Sequence, residues 1–301
     1  MGLLWLFACG AAALWVGVVL HTWRSLTRPP RRTLAWRLAR GQPADPGALS
    51  PPRAFDALDR AGDARGHPSA WIIRGDDLGG PTVVFCHGWG ESRHAVLARL
   101  DALAPHAASI IAWDLPGHGD ARPGPCPLGA LEHERLHDLL DAVGGKAPIV
   151  LYGFSLGAGV CIRVGAEDSR VGAVIAEAPY RLPWTPARNV MEQMGMPHRL
   201  TLRPALSLAG AARSNPLWRG FDRASWAGRL ACPLLIVHGE LDRMCPTADA
   251  SAIVDAAPDG RLVVVPRAGH LDMWTDPHSR AIATDAMARF FRSLRGEGAE
   301  R

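Results

Sequence analysis

The stretch "APIVLYGFSLGAGVCIRVGA", residues 147–166, holds the serine on which the reading of this chain turns. Pro148 to Tyr152 is an apolar run of strand length, and Ser155 to Val164 repeats apolar residues at helical spacing, so Ser155 stands where a strand becomes a helix. A serine held on so sharp a turn has a strained backbone, and the residues two before and two after it crowd each other. Only very small residues fit there, and Gly153 and Gly157 occupy both places. Such a turn points the hydroxyl out at the head of the helix, where free N–H groups and the positive end of the dipole stabilise an oxyanion. The pattern marks Ser155 as a candidate nucleophile, provided that partners exist elsewhere in the chain.

A serine hydroxyl needs a base, the base needs an orienting acid, and the oxyanion needs two N–H donors. Each has a candidate at the end of an apolar run. "LLIVHGELDRMCP", residues 234–246, is a strand followed by a loop that presents Glu240 and Asp242, and "RLVVVPRAGHLDMW", residues 261–274, is a strand followed by a loop that presents His270. Asp242 is the expected acid, with Glu240 as the alternative, and His270 is the expected base. Upstream, "VVFCHGWGES" ends a strand in a loop from which Trp89 would give one backbone N–H, while Leu156 gives the other. His87 and His118 read as loop-fixing hydrogen bonders, His238 as structural, and Asp272 as solvated.

Further strand signals fall at residues 71–74, 82–86, 109–113, 149–153, 172–176, 233–238 and 261–265, with helical stretches between most of them. Alternation of this kind predicts an α/β fold: a doubly wound, mainly parallel sheet whose site lies at the carboxyl ends of the strands. Residues 69–295 resemble the α/β-hydrolase superfamily, in its serine esterase, lipase and S33-type peptidase branch. The resemblance is carried by "HGWGES", "WDLPGHG" at 113–119, "GFSLG", "HGELDRMCP" and "AGH", in the family's order. It implies acyl transfer with Ser155 as nucleophile, Asp242 as acid and His270 as base, and it calls for no cofactor and no metal. Serine at the elbow argues against the dehalogenase and epoxide hydrolase branches, which use aspartate there. One departure is Asp120-Ala121 after "GHG", where the family often has a serine and its loop contact.

The chain has 301 residues, 48% hydrophobic and 21% charged, enough for one domain of roughly 230–270 residues and an appendage. Its net charge of +4 rests on arginine, Lys146 being the sole lysine, and no basic stretch is interleaved with aromatics in the manner of a nucleic-acid face. The six cysteines show no paired spacing, and Cys86 and Cys161 lie in apolar runs, which fits a reducing compartment.

Residues 1–23 contain no Asp, Glu, Lys or Arg, enough for a helix that crosses roughly 30 Å of hydrocarbon. Nothing basic precedes the apolar run, whereas Arg24, Arg28, Arg31, Arg32, Arg37 and Arg40 all come before the first acid, Asp45. This order predicts an uncleaved transmembrane anchor with the catalytic body in the cytoplasm, rather than a signal peptide. "LFAC" at 6–9 is a poor lipoprotein box. Residues 24–68 read as a basic, proline-rich linker and 296–301 as a tail, with "TLAWRLAR" a short segment suited to a membrane surface.

Between "VIAEAPY" and "ACPLLIVHG", residues 181–229 carry no strand signal and several prolines, as an inserted helical cap would. Its Met and aromatic residues (Trp184, Met191, Met194, Met196, Trp218, Phe221 and Trp226) either line an apolar pocket or pack the cap. Eight arginines against Glu192 and Asp222 predict a basic face for a membrane surface. An apolar pocket favours a small-molecule carboxylic ester with an acyl chain, followed by thioester, amide or peptide substrates. Two rival readings compete with this one. "HERLH" at 133–137 has the zinc-peptidase spacing, but it falls on an outer helix and has no third ligand at a customary distance. A tethered, non-catalytic binding protein conflicts with the retention of all three triad residues.

Overall fold

Strands that are apolar at nearly every position must be covered on both faces, and that is where the sheet places them. The structure, a computed structural model, describes residues 2–58, 70–144, 148–211 and 221–297. Its strands are β1 (Phe55–Leu58), β2 (Ala70–Arg74), β3 (Thr82–Cys86), β4 (Ser109–Trp113), β5 (Ile149–Phe154), β6 (Val171–Glu177), β7 (Leu234–Gly239) and β8 (Gly260–Val265). The helices are α1 (Gly2–Thr27), α2 (Leu34–Leu38), α3 (Leu100–Leu103), α4 (Glu132–Val143), α5 (Leu156–Glu167), α6 (Trp184–Gln193), α7 (Leu202–Ala211), α8 (Arg223–Ala227), α9 (Thr247–Ala256) and α10 (Pro277–Leu294). The eight strands form one sheet in the order β1-β2-β4-β3-β5-β6-β7-β8, antiparallel for β1/β2 and β2/β4 and parallel from β4 onward.

Alternation along the central strands feeds two cores. Val84, Cys86, Ile111, Trp113 and Leu151 meet Leu136 and Leu139 of α4 and Cys161 and Ile162 of α5. Their neighbours Val83, Phe85, Ile110, Ala112 and Tyr152 meet Leu100 and Leu103 of α3 and Phe290 and Phe291 of α10. All seven strands expected from residue 71 onward are present, β3 and β4 residue for residue.

The amino-terminal part corrects one expectation. Part of the stretch read as linker belongs to the body of the fold, because Phe55–Leu58 pairs antiparallel with β2. The segment before it is pinned by polar contacts: Arg31 donates to the Gly119 carbonyl at 3.0 and 2.8 Å, Arg53 pairs with Asp76 at 2.9 Å, and His94 Nε2 meets the Ala44 carbonyl at 2.9 Å. A strand of four residues among prolines is too short for periodicity to register.

Helix α1 has 26 residues and a mean hydropathy of 2.3, so it is long and apolar enough to cross a bilayer. Residues 2–17 are exposed; Val19, Thr22, Leu26 and Thr27, near its end, are buried. There it lies against α7, with Thr22 Oγ1 3.3 Å from Thr201 Oγ1, and the Thr27 carbonyl accepts the Cys126 N–H at 2.7 Å.

The cap expected over residues 181–229 is α6, α7 and α8; Pro216, Trp218, Arg213 and Arg219 lie outside the described residues. Its large side chains divide by role: Met191 and Phe221 are buried in the core, whereas Met194 is exposed toward a cavity. The basic face is thinner than expected. Arg223 is fully buried, donating to the Phe221 carbonyl and the Tyr180 hydroxyl, and Arg181 is paired with Asp222 at 2.7 Å.

Candidate active site

Three loops at the carboxyl ends of β5, β7 and β8 bring Ser155, Asp242 and His270 together. Ser155 links β5 to α5 with φ 51° and ψ −109°, a left-handed backbone that a serine rarely adopts. The flanking glycines are needed, though not against each other's missing side chains. A Cβ on Gly153 would lie 2.3 Å from the Gly157 carbonyl oxygen, and one on Gly157 would lie 2.1 Å from the Cys86 carbonyl oxygen of β3. The elbow is thus wedged between its own helix and the adjacent strand. The Ser155 N–H donates to the Glu177 carbonyl at 2.9 Å, which fixes the turn to β6 as well.

His270 Nε2 lies 3.2 Å from Ser155 Oγ, and His270 Nδ1 lies 2.7 Å from Asp242 Oδ2. The other carboxylate oxygen of Asp242 accepts the N–H groups of Met244 and Cys245, each at 2.8 Å. This locks the carboxylate plane and leaves Oδ2 for the imidazole. Asp242, the expected acid, therefore faces His270, whereas Glu240 turns away and accepts the Arg267 N–H at 3.0 Å. Asp272 accepts from Gly269 N–H within its own turn. The ring of Phe154 lies tilted against His270 with centroids 5.1 Å apart.

The remaining histidines behave as expected of loop supports. His87 accepts the Leu115 N–H at 3.0 Å through Nε2 and donates through Nδ1 to the Gly88 carbonyl at 2.8 Å. Burial pushes its pKa well below the ordinary value, and burial lowers that of its neighbour His118 to about 4. His238, buried and likewise shifted down by desolvation, bonds the Cys245 carbonyl at 2.8 Å. Asp120, which stands where a serine is common, is tied into the loop: its backbone N–H donates to Asp114 at 3.0 Å and its carboxylate meets Arg93 at 3.4 Å.

Leu156 is the first residue of α5, where backbone N–H groups have no acceptor within the helix. Opposite it runs the loop from Gly88 to Glu91, closed by the Glu91 N–H on the Gly88 carbonyl at 3.1 Å. A Cβ at Gly88 would meet the Phe154 ring at 2.8 Å and Ser155 Cβ at 3.4 Å, so this loop presses directly on the elbow. Trp89, in this loop, and Leu156, at the head of α5, both line the cavity together with Ser155.

Other parts of the site leave no trace in the sequence pattern. Beneath the elbow, Arg99 donates two hydrogen bonds to Glu177 at 2.7 and 2.6 Å, and the Tyr152 hydroxyl donates to the same carboxylate. Burial, followed by the Glu177 charge, raises the Tyr152 pKa well above its ordinary value, so the phenol keeps its proton. Above the serine is a cavity of about 470 Å³, bounded by Phe154, Leu156, Tyr180, Ala187, Val190 and Met194 and, on the amino-terminal side, by Leu26, Pro30 and Arg32. Among the described residues, one group offers ligand atoms close enough for a cation, namely Asp242, Cys245 and His270, within 4.8 Å of one another. Two of these already share the short Asp242–His270 hydrogen bond. In "HERLH", His137 contacts Glu167 and Asp168, each at 3.3 Å.

A serine on a strand-to-helix elbow, followed along the chain by an acid after β7 and a histidine after β8, defines the class of hydrolase-fold proteins built around a Ser-His-Asp constellation. The chain belongs to the alpha/beta hydrolase family, whose profile matches residues 83–284. It is 28% identical over 197 residues to the human protein ABHD12B, an alignment covering 62% of this chain; the chain spans about half the length of that relative, 52%. It is 27% identical over 254 residues to a pimeloyl-[acyl-carrier protein] methyl ester esterase of Xanthomonas campestris, covering 71% of this chain and 96% of that one. Among solved structures, an esterase of Pyrococcus furiosus superposes with a TM-score of 0.65 at 20% identity, over 91% of this chain and 98% of that one, and so shares the fold.

Proposed function

We propose that the protein is a membrane-held serine hydrolase that cleaves carboxylic esters bearing an apolar acyl chain. The observation that carries the reading is the continuous path from Asp242 Oδ2 through His270 to Ser155 Oγ, at 2.7 and 3.2 Å, at the floor of a mostly apolar cavity. His270 Nε2 takes the Ser155 proton as Oγ attacks the ester carbonyl, and the developing oxyanion sits against the N–H groups of Leu156 and Trp89. The imidazolium, stabilised by Asp242, returns the proton to the departing alkoxide. Water then repeats the sequence on the acyl-enzyme and releases the acid. The ester activity in the name of the Xanthomonas relative supports this choice over amide or thioester cleavage.

A cavity of about 470 Å³ is of ligand-binding size. Burying successive methylenes in it at about 0.8 kcal/mol each should raise kcat/KM about fourfold per carbon until the space is filled. Nitrophenyl esters from acetyl to dodecanoyl, assayed beside the matching thioesters and aminoacyl amides, test this. A flat chain-length profile, or faster amide than ester cleavage, would overturn it.

The exposed apolar length of α1, with Arg24 in its last turn and five more arginines after it, supports a single span with the amino terminus outside and the catalytic body in the cytoplasm. An alkaline phosphatase fused to the carboxyl terminus should stay inactive while a fluorescent-protein fusion glows. Active phosphatase would reverse the orientation.

A further inference from the structure

The Gly88-Trp89-Gly90 segment places Trp89 between two residues that restrain the backbone least. Its peptide must nevertheless point one way if its N–H is to meet an oxyanion. Besides the turn bond from the Glu91 N–H to the Gly88 carbonyl, three consecutive loop residues face the end of α1 or the chain just beyond it. The Trp89 indole N–H donates to the Leu26 carbonyl at 2.9 Å, one of the last-turn carbonyls that a helix leaves without an internal partner. The position of a Cβ on Gly90 is 3.8 Å from Pro30 Cδ, and Glu91 is ion-paired with Arg32.

Residues 26–32 are themselves tied to a different part of the body. The Thr27 carbonyl accepts the Cys126 N–H at 2.7 Å, and Arg31 is held on the Gly119 carbonyl at 3.0 and 2.8 Å. They also line the cavity, through Leu26, Pro30 and Arg32. The end of the apolar helix therefore has a fixed seat on the far side of the pocket and reaches across to the oxyanion loop.

We propose that this contact is a brace: Trp89 through its indole, and Arg32 and Glu91 through their ion pair, are positioning residues that orient the Trp89 peptide for the oxyanion. The inference rests on the ester-hydrolase reading of the site. It gives α1 a part in turnover as well as in attachment, since the oxyanion loop is bonded to the helix end at Leu26 and to the chain beyond it at Arg32.

The test uses the full chain in detergent micelles with a nitrophenyl acyl ester, and compares Trp89→Phe, Arg32→Gln and Glu91→Gln with the wild type. Phenylalanine keeps an aromatic wall and removes the indole N–H. Loss of an oxyanion donor costs about 100- to 1000-fold in kcat, so a loosened one should cost about tenfold in each variant, with KM within about twofold. Wild-type kcat in all three, or a raised KM at unchanged kcat, would overturn the brace and leave these residues as pocket wall. The two charge variants give the same readout should Trp89→Phe fail to fold. Ser155→Ala run alongside separates the levels: if it still turns over, the reading of the site falls, and if it is dead while the three variants keep full kcat, only the brace falls.

Discussion

Replacing Ser155 by alanine should lower kcat by about three to six orders of magnitude and remove labelling by a fluorophosphonate probe, with the fold intact. The expectation is this large because the hydroxyl has no deputy. Its Oγ is the atom that His270 Nε2 faces at 3.2 Å, and no other serine shares the elbow. Cys245 is a second nucleophile by chemistry beside the site, its sulfur within 4.8 Å of the facing atoms of Asp242 and His270. Burial raises its pKa well above the ordinary thiol value, so at neutral pH it is held as an unreactive thiol. Labelling that persists in Ser155→Ala would move the nucleophile elsewhere and undo the assignment of the whole site.

Asp242→Asn should be nearly as damaging, at about 10⁴-fold in kcat with little change in KM, and its cause is the tautomer. Asp242 Oδ1 is committed to the N–H groups of Met244 and Cys245, so an asparagine there keeps its carbonyl oxygen in that place and turns its NH₂ toward His270 Nδ1. The imidazole then has to accept at Nδ1 and carry its proton on Nε2, where it cannot take one from serine. His270→Ala should match it. A variant of Asp242 with near-normal turnover would return the role to Glu240, against the bond that Glu240 makes to the Arg267 N–H.

The strands and the triad were legible because both depend on local pattern. Thr82–Cys86 and Ser109–Trp113 are buried on two faces, and continuous burial writes a continuous apolar run. Ser155, Asp242 and His270 each follow such a run, and their chain order alone suggests that they meet. The amino-terminal wall of the cavity was not legible, since it is made through a helix-end carbonyl at Leu26, a proline and an ion pair between Arg32 and Glu91, 59 residues apart, none of which has a period. The Arg99–Glu177–Tyr152 network was hidden in the same way, its members lying 78 and 25 residues apart. Charge counting over the cap misled for a related reason: it treats Arg223 as surface, whereas its guanidinium is buried against Phe221 and Tyr180.

The backbone of Ser155 sets stability against turnover. A non-glycine residue at φ 51° and ψ −109° carries about 1–3 kcal/mol of local strain that the rest of the fold must hold in place. Glycine would relieve that strain and remove the reacting atom in the same substitution. Heat selection without a turnover screen would therefore favour Ser155→Gly. Thermal engineering of the protein therefore has to hold residue 155 constant while it searches elsewhere.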